Sequence, residues 1–291
     1  MRRISIVLPA YFSHATLGRC LAAIAAQSRR PEETIVVNSS PDSDTAPVVA
    51  GFPWVRLIQS PTRLLPHAAR NRGLAEATGD VLVCSDPDVV ADPRWLEELV
   101  AAIGAGHPFV GGAMSMQPHP PAQIRVAQAI HLTKFWWALP TGIERSTWIV
   151  PTANCAFTRQ LWEQIGPFPE NVFCGDALFS WMAARADSAP LFLPQAIVNH
   201  EHDETIAMMR TQRFRRGVEF GRERARWEGW SPGRRWAQAF ASPLRTLAVL
   251  HHARKAAHAA GWGDAFRNSV SLQALFQAAW TTGEARGWMQ A

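Results

Sequence analysis

Val81-Leu82-Val83-Cys84-Ser85-Asp86-Pro87-Asp88 is a short apolar run that ends in two carboxylates one residue apart. With Gly79-Asp80 before it and Pro93 after it, a run of this length reads as a buried strand, which places both acids where its carboxyl end meets solvent. Open α/β sheets bind their ligands at that end. Two carboxylates on one irregular loop can turn to the same side and offer hard oxygen donors to Mg²⁺ or Mn²⁺, with a diphosphate completing the shell. The ligand implied is a nucleotide. Acids after strands can equally cap helices, so the neighbouring residues have to decide.

Working outward, strands and helices alternate. Residues 3–9 form a strand pattern, 16–27 carry Leu17, Leu21 and Ile24 at helical spacing, 34–37 are a second strand and 55–58 a third. A helix over 65–77 then leads to the Asp86 strand. Such alternation predicts an α/β fold with a mostly parallel central sheet and right-handed crossovers. Beyond Asp88 the pattern loosens into helices over 91–103, 124–137, 159–165 and 176–186 and strands over 109–116, 147–157 and 196–200. From about Asp203 everything reads as helix, broken by Pro232 and Pro243. The chain divides into a body, 1–202, and a helical C-terminal extension, 203–291.

The chain has 291 residues, 47% of them hydrophobic, enough for one large core with an appendage. No stretch approaches the roughly 18 consecutive apolar residues of a membrane span, and Met1-Arg2-Arg3-Ile4 runs into a strand without an apolar leader. A cytoplasmic location is expected. Cys20, Cys84, Cys155 and Cys174 lie far apart, without metal-finger spacing, and fit reduced, mostly buried thiols. Net charge is +5, yet residues 201–291 hold 14 Lys/Arg against 8 Asp/Glu, while residues 1–200 are nearly neutral. A neutral body without helix-turn-helix or RNP-like patterns excludes nucleic acid as a partner. The basic tail carries Trp227, Trp230, Trp236, Trp262, Trp280 and Trp288. Cations with tryptophan suit the anionic cytoplasmic face of a membrane, or packing on the body or a second subunit.

Taken together, Ser5-Ile6-Val7-Leu8-Pro9-Ala10-Tyr11, the Val36-Val37 strand with its Ser-rich loop, Ala69-Arg70-Asn71-Arg72-Gly73-Leu74, Gly79-Asp80-Val81, Asp86-Pro87-Asp88, Asn154-Cys155-Ala156-Phe157 and Gly175-Asp176 resemble the family 2 glycosyltransferases, which have the GT-A fold. The ordered set spans residues 4–200. The resemblance implies a metal-dependent, inverting enzyme that moves a sugar from a nucleotide-diphosphate sugar, a UDP-sugar before others, to a saccharide or lipid-linked acceptor in cell-envelope polysaccharide or glycolipid synthesis.

The same resemblance implies roles residue by residue. Pro9, Ala10 and Tyr11 would line the nucleotide pocket, and Arg70 would contact the nucleotide while Asn71 and Gly73 shape its helix. Asp80 is more structural than catalytic. Asp86 would serve the ribose, or the metal through water; Asp88 would hold the metal, with His200 approaching it and His202 sharing that direction if the strand persists. Asn38 stands where the family usually has an aspartate for uracil, and Asp42 or Asp44 could supply that carboxylate. Asp176 takes the place of the catalytic base, or simply caps its helix. Gly175 departs from the family's Glu-Asp pair. Trp136, Trp137 and Trp148 fall where acceptors bind; each can stack on a sugar, touch lipid or pack in the core. Because Asn38 and Gly175 both replace acids, a non-catalytic nucleotide-sugar binder or partner subunit stands as the alternative.

Overall fold

A computed structural model describes residues 2–41 and 44–291; Asp42, one of the two candidate loop acids, lies outside them. The first part alternates as expected: β1 (Ile4–Ala10), α1 (His14–Ala25), β2 (Glu33–Asn38), α2 (Thr45–Ala50), β3 (Val55–Gln59), α3 (Pro66–Glu76) and β4 (Val81–Ser85). Next come β5 (Val89–Ala91), α4 (Trp95–Gly104), β6 (Phe109–Met116) and α5 (Pro121–Phe135). They are followed by β7 (Arg145–Ser146), β8 (Asn154–Thr158), α6 (Arg159–Ile165), α7 (Gly175–Arg185) and β9 (Leu191–His200). The tail is α8 (Ile206–Trp227), α9 (Pro232–Phe240), α10 (Ser242–Ala259) and α11 (Gly263–Met289). Pro232 and Pro243 sit in the first turns of α9 and α10, where a missing N–H costs nothing.

The strands form one sheet in the order β3-β2-β1-β4-β8-β6-β9-β5, with β7 against β9. β1 runs parallel to β2 and β4, and β2 to β3. On the far side β4–β8, β6–β8, β5–β9 and β7–β9 are antiparallel. The sheet is therefore mixed: parallel where helical crossovers join the strands, antiparallel where they do not. The pairing of β5 with β9 sets Val89 opposite His200.

The described residues fall into two units, 1–115 with 142–201, and 116–141 with 202–291. The first is built on the sheet. Val7, Val37, Leu82, Phe157, Phe168 and Phe179 belong to its core, with Phe168 stacked on Phe179 at 4.1 Å between centroids. α3 lies hard against the sheet: a Cβ at Gly73 would be 2.5 Å from Val7 Cγ1, so a side chain there would push away the helix that carries Arg70. All four cysteines are buried, and none is in a disulfide.

In the second unit, Ala129 and Ile130 of α5 pack on Met209 and Phe276, which is why residues 116–141 group with the C-terminal helices. α8 and α11 cross with backbones in contact. A Cβ on Gly217 or Gly221 would fall 2.4–2.5 Å from carbonyl oxygens of Trp280 and Glu284, and one on Gly283 or Gly287 would meet those of Phe214 and Val218. The two Gly-x-x-x-Gly faces thus allow close helix packing outside a bilayer. No helix among the described residues is long and apolar enough to cross a membrane.

Candidate functional site at the carboxyl end of the parallel strands

All five residues of β4 are buried, so Asp86 and Asp88 emerge at its end as the sequence implies. Asp86 is fastened by an ion pair to Arg70, whose guanidinium is buried. Burial works against that charge, but Asp86, with a contribution from Asp176, more than offsets it and strengthens the hold of Arg70 on its proton. Arg70 thus fixes the orientation of the Asp86 carboxylate. Asn71, one residue on, bonds the backbone of Phe168 in both directions (2.8 and 3.0 Å) and the Glu170 carboxylate at 2.9 Å, which ties α3 to the loop leading into α7.

Asp88 lies beside His200, with Oδ2 3.7 Å from Nε2. The contact follows from the β5–β9 pairing, because Glu201 N–H also donates to the Asp88 carbonyl at 2.9 Å. His200 Nδ1 is bonded to the Glu201 carbonyl. A carbonyl only accepts, so Nδ1 carries the proton and neutral His200 presents a lone pair at Nε2. The Asp88 carboxylate oxygen is a donor for Mg²⁺ or Mn²⁺, and the imidazole nitrogen suits Mn²⁺ better than the harder Mg²⁺. Among the described residues no group of three or more His, Cys, Asp or Glu side chains is placed to hold a metal ion. Cys20 reaches the Asp86 carbonyl with its thiol at 3.4 Å. Burial first, then the charges of Asp88 and Asp86, pushes that thiol's pKa far up, so it stays protonated and inert.

Asp176 stands in the first turn of α7, and its Oδ1 accepts from the Ala177 N–H at 2.8 Å. The N-cap residue is Cys174, so Asp176 is inside the helix. The positive end of the helix favours its ionised form.

Gly175 has a physical explanation that sequence inspection missed. A Cβ built there would be 2.6 Å from Cδ2 and 2.8 Å from Cγ of His67. The His67 ring is stacked on Phe168 at 5.4 Å and donates from Nε2 to the Phe173 carbonyl at 3.3 Å. Burial, reinforced by Arg70, pushes its pKa down to about 3. The space of a side chain at 175 is filled by a neutral imidazole from α3. The only signal in the sequence was a histidine three residues before Arg70.

At the exit of β1, Pro9 and Ala10 pair with Val37 and Asn38 of β2. Tyr11 is part-exposed, edge-on to Phe12 at 4.7 Å, with the Arg63 guanidinium 4.5 Å above its ring. Phe12 has φ of 51°, an uncommon state for a bulky residue, and its N–H donates to Ser40 Oγ at 2.6 Å. Neither Phe12 nor Arg63 was singled out from the sequence. Asn38 is buried; Oδ1 accepts from Ser40 N–H at 3.1 Å and Nδ2 donates to Gln59 at 3.0 Å. Its amide closes the loop after β2. Asp80 accepts from the Arg3 N–H at 2.9 Å, in line with its structural reading.

His202 does not share the direction of His200. β9 ends at His200, and His202 enters the second unit, 3.0 Å from buried His131 and 3.6 Å from Glu204. Trp148 is exposed and stacked on Trp181 at 6.1 Å, whereas Trp136 packs among Leu132, Leu139 and Ala257 and Trp137 donates to the Lys134 carbonyl at 3.2 Å.

Comparison with known proteins places this site in context. The family model of glycosyl transferase family 2 matches residues 5–163. The glycosyltransferase AglE of Haloferax volcanii is 24% identical over 179 residues, 59% of this chain and 58% of AglE. The O-antigen chain rhamnosyltransferase RfbN of Salmonella typhimurium is 22% identical over 219 residues, 70% of this chain and 68% of that protein. Among solved structures, the mannosyltransferase PcManGT from Pyrobaculum calidifontis, in complex with GDP-Man and Mn²⁺, superposes with a TM-score of 0.62 at 22% identity. The match covers 96% of this chain and 86% of that one. The fold is GT-A with additional C-terminal helices.

Proposed function

The chain belongs to glycosyl transferase family 2, and from that premise we propose that it is a metal-dependent, inverting glycosyltransferase acting on a nucleotide-diphosphate sugar. One observation carries the reading: a single sheet end gathers Asp86 fastened to Arg70, Asp88 beside His200, and Asp176 within electrostatic reach of Arg70.

Asp88 and His200 are the residues that would hold Mg²⁺ or Mn²⁺, which when bound supplies positive charge against that developing on the departing diphosphate. Asp86, oriented by Arg70, accepts hydrogen bonds from the ribose hydroxyls. Tyr11 and its Arg63 partner offer a face to the base. Asp176 takes the proton of the acceptor hydroxyl while its oxygen bonds to the anomeric carbon and the carbon–oxygen bond to the diphosphate breaks. One displacement, with Asp176 as its base, inverts the anomeric centre.

The Mn²⁺ and GDP-Man bound to PcManGT support a divalent ion and a diphosphate donor, and the name of the RfbN relative, an O-antigen chain rhamnosyltransferase, supports a growing saccharide chain as acceptor. With the Asn38 amide spent on Ser40 and Gln59, the base preference is left to experiment. Against the non-catalytic alternative, the space of a side chain at 175 is taken by His67, which offers a packing reason for the glycine. The test is to incubate the chain with UDP-, GDP- and dTDP-sugars and candidate acceptors, with Mn²⁺ or with EDTA, and to detect glycosylated acceptor by mass spectrometry. Product on an acceptor, lost with EDTA, supports the proposal; donor binding without product from any pair favours the binder.

A further inference from the structure

The basic, Trp-rich tail is not explained by sugar transfer, and the structure sorts its tryptophans. Trp230 and Trp288 are buried against each other at 5.7 Å, Trp280 packs on Phe220, and Trp262 joins the cluster around Phe266. Of the six, Trp236 stands in solvent, 54% exposed, and it is not alone: Phe240, Leu244 and Leu247 are 78%, 69% and 65% exposed.

These four residues form one stripe. α9 ends at Phe240 and α10 begins at Ser242, and Ala241 between them keeps a helical φ of −77°. Spacings of four, four and three residues therefore place Trp236, Phe240, Leu244 and Leu247 on one face. The buried side of α10 is different: Ala253 packs on Leu132, Leu139 and Phe266, and nine residues at about 100° each set it opposite Leu244. The stripe runs on, at spacings of four, three and four, through His251 to Arg254 and Lys255. All three are exposed, and among the described residues neither cation enters a salt bridge. From Gly229 to Gly263 the chain has five Arg/Lys and no Asp or Glu.

A face that is apolar at one end, cationic at the other and free of acids fits a surface that is apolar within and negative at its rim. We propose that the α9–α10 face docks on an anionic lipid bilayer, with Phe240, Leu244 and Leu247 among the acyl chains, Trp236 at headgroup level and Arg254 and Lys255 on lipid phosphates. No helix among the described residues is long and apolar enough to span, so the contact proposed lies in the plane of the interface. A two-fold pairing of this face with a second copy would set its cations against their own copies if the helices ran parallel, or against the partner's apolar residues if they overlapped antiparallel, in neither case with an acid from the stretch to compensate, which argues for lipid over self-association. The inference stands on the tail and does not depend on the transfer reaction.

The test uses the full chain and vesicles of phosphatidylcholine with or without phosphatidylglycerol, in co-sedimentation at low and high salt. The wild type binds the phosphatidylglycerol vesicles and is released by salt. Phe240→Ser with Leu244→Ser, and separately Arg254→Gln with Lys255→Gln, each weaken binding roughly tenfold or more; all four residues are exposed, so circular dichroism and melting should match the wild type. Absence of wild-type binding at low salt, or binding unchanged in both double variants, overturns the proposal. So does a wild-type dimer, seen by light scattering, that Phe240→Ser converts to monomer, because the face would then belong to a second copy.

Discussion

Gly175→Ala tests whether the missing acid before Asp176 is an accommodation to His67. The new methyl would sit 2.6 Å from Cδ2, 2.8 Å from Cγ and 2.9 Å from Nε2 of the imidazole, closer than carbon atoms pack. The ring cannot simply slide. It is stacked on Phe168, which is itself stacked on Phe179, and Nε2 is held by the Phe173 carbonyl. Overpacking of this kind costs about 1–3 kcal/mol, and displacing the ring sacrifices a hydrogen bond of about 1 kcal/mol. Against this, replacing glycine by alanine in a helix gains up to about 1 kcal/mol, less in the first turn where Gly175 stands. The strain wins, and a net loss of roughly 1–3 kcal/mol is expected. At about 2–4 °C per kcal/mol for a chain of this size, the melting temperature should fall by roughly 2–12 °C.

The assay is thermal and urea unfolding of four proteins: wild type, Gly175→Ala, His67→Ala and the double variant. His67→Ala alone leaves a cavity and is destabilising, but in its presence the methyl at 175 has room. The double variant should therefore be at least about 1 kcal/mol more stable than the sum of the single effects. Additive effects, or a Gly175→Ala protein as stable as the wild type, would refute the reasoning. Gly175→Glu extends the argument to activity: restoring the family's acid should lower transfer by displacing His67 and α7, and a rise in transfer would show that the glycine is a defect.

Three further outcomes are expected. His67 has a folded pKa near 3 against an ordinary value of 6.5, so between those values the unfolded chain binds a proton that the folded one refuses. Stability should then fall as pH drops below about 6, by roughly 1 kcal/mol per pH unit, and urea midpoints at pH 7 and pH 5 should differ less in His67→Phe. Asp176→Asn should keep the melting temperature and donor affinity while lowering transfer by roughly 10²- to 10⁴-fold; an unfolded or fully active variant would mean that Asp176 serves the helix only. Asp88→Ala should abolish the dependence of nucleoside-diphosphate affinity on Mn²⁺ in calorimetry, and equal affinity of the wild type with Mn²⁺ and with EDTA would remove the proposed metal site.

How much of this was legible beforehand depended on the range over which each feature is encoded. The β4 run, the α3 helix and the breaks at Pro232 and Pro243 rest on periodicity and backbone chemistry within a dozen residues, and they appear within a residue or two of where the pattern put them. The three-residue β5 had no such period, although it is the strand that brings Asp88 to His200. Short strands are specified by their partner, which lies more than a hundred residues away in sequence. The tail tryptophans illustrate the same limit, since composition counts Trp230 and Trp236 alike and only packing tells which one meets solvent.

The Gly175–His67 pair is the strongest case, because each residue reads wrongly alone. Gly175 reads as a departure from the family's acid pair, and His67 belongs to none of the motifs that carry the resemblance. Their contact depends on how closely α3 approaches the sheet, which Gly73 permits, and on Asn71 bonding the 168–170 loop that delivers α7. One stretch of α3 thus supplies the group that occupies position 175, the arginine that orients Asp86 and the amide that holds the loop between α6 and α7 before Asp176. A change in the seating of α3 would disturb the nucleotide carboxylate and the proposed base together. Gly73→Ala, whose Cβ would meet Val7 at 2.5 Å, should therefore weaken donor binding and transfer alike, although residue 73 touches neither substrate.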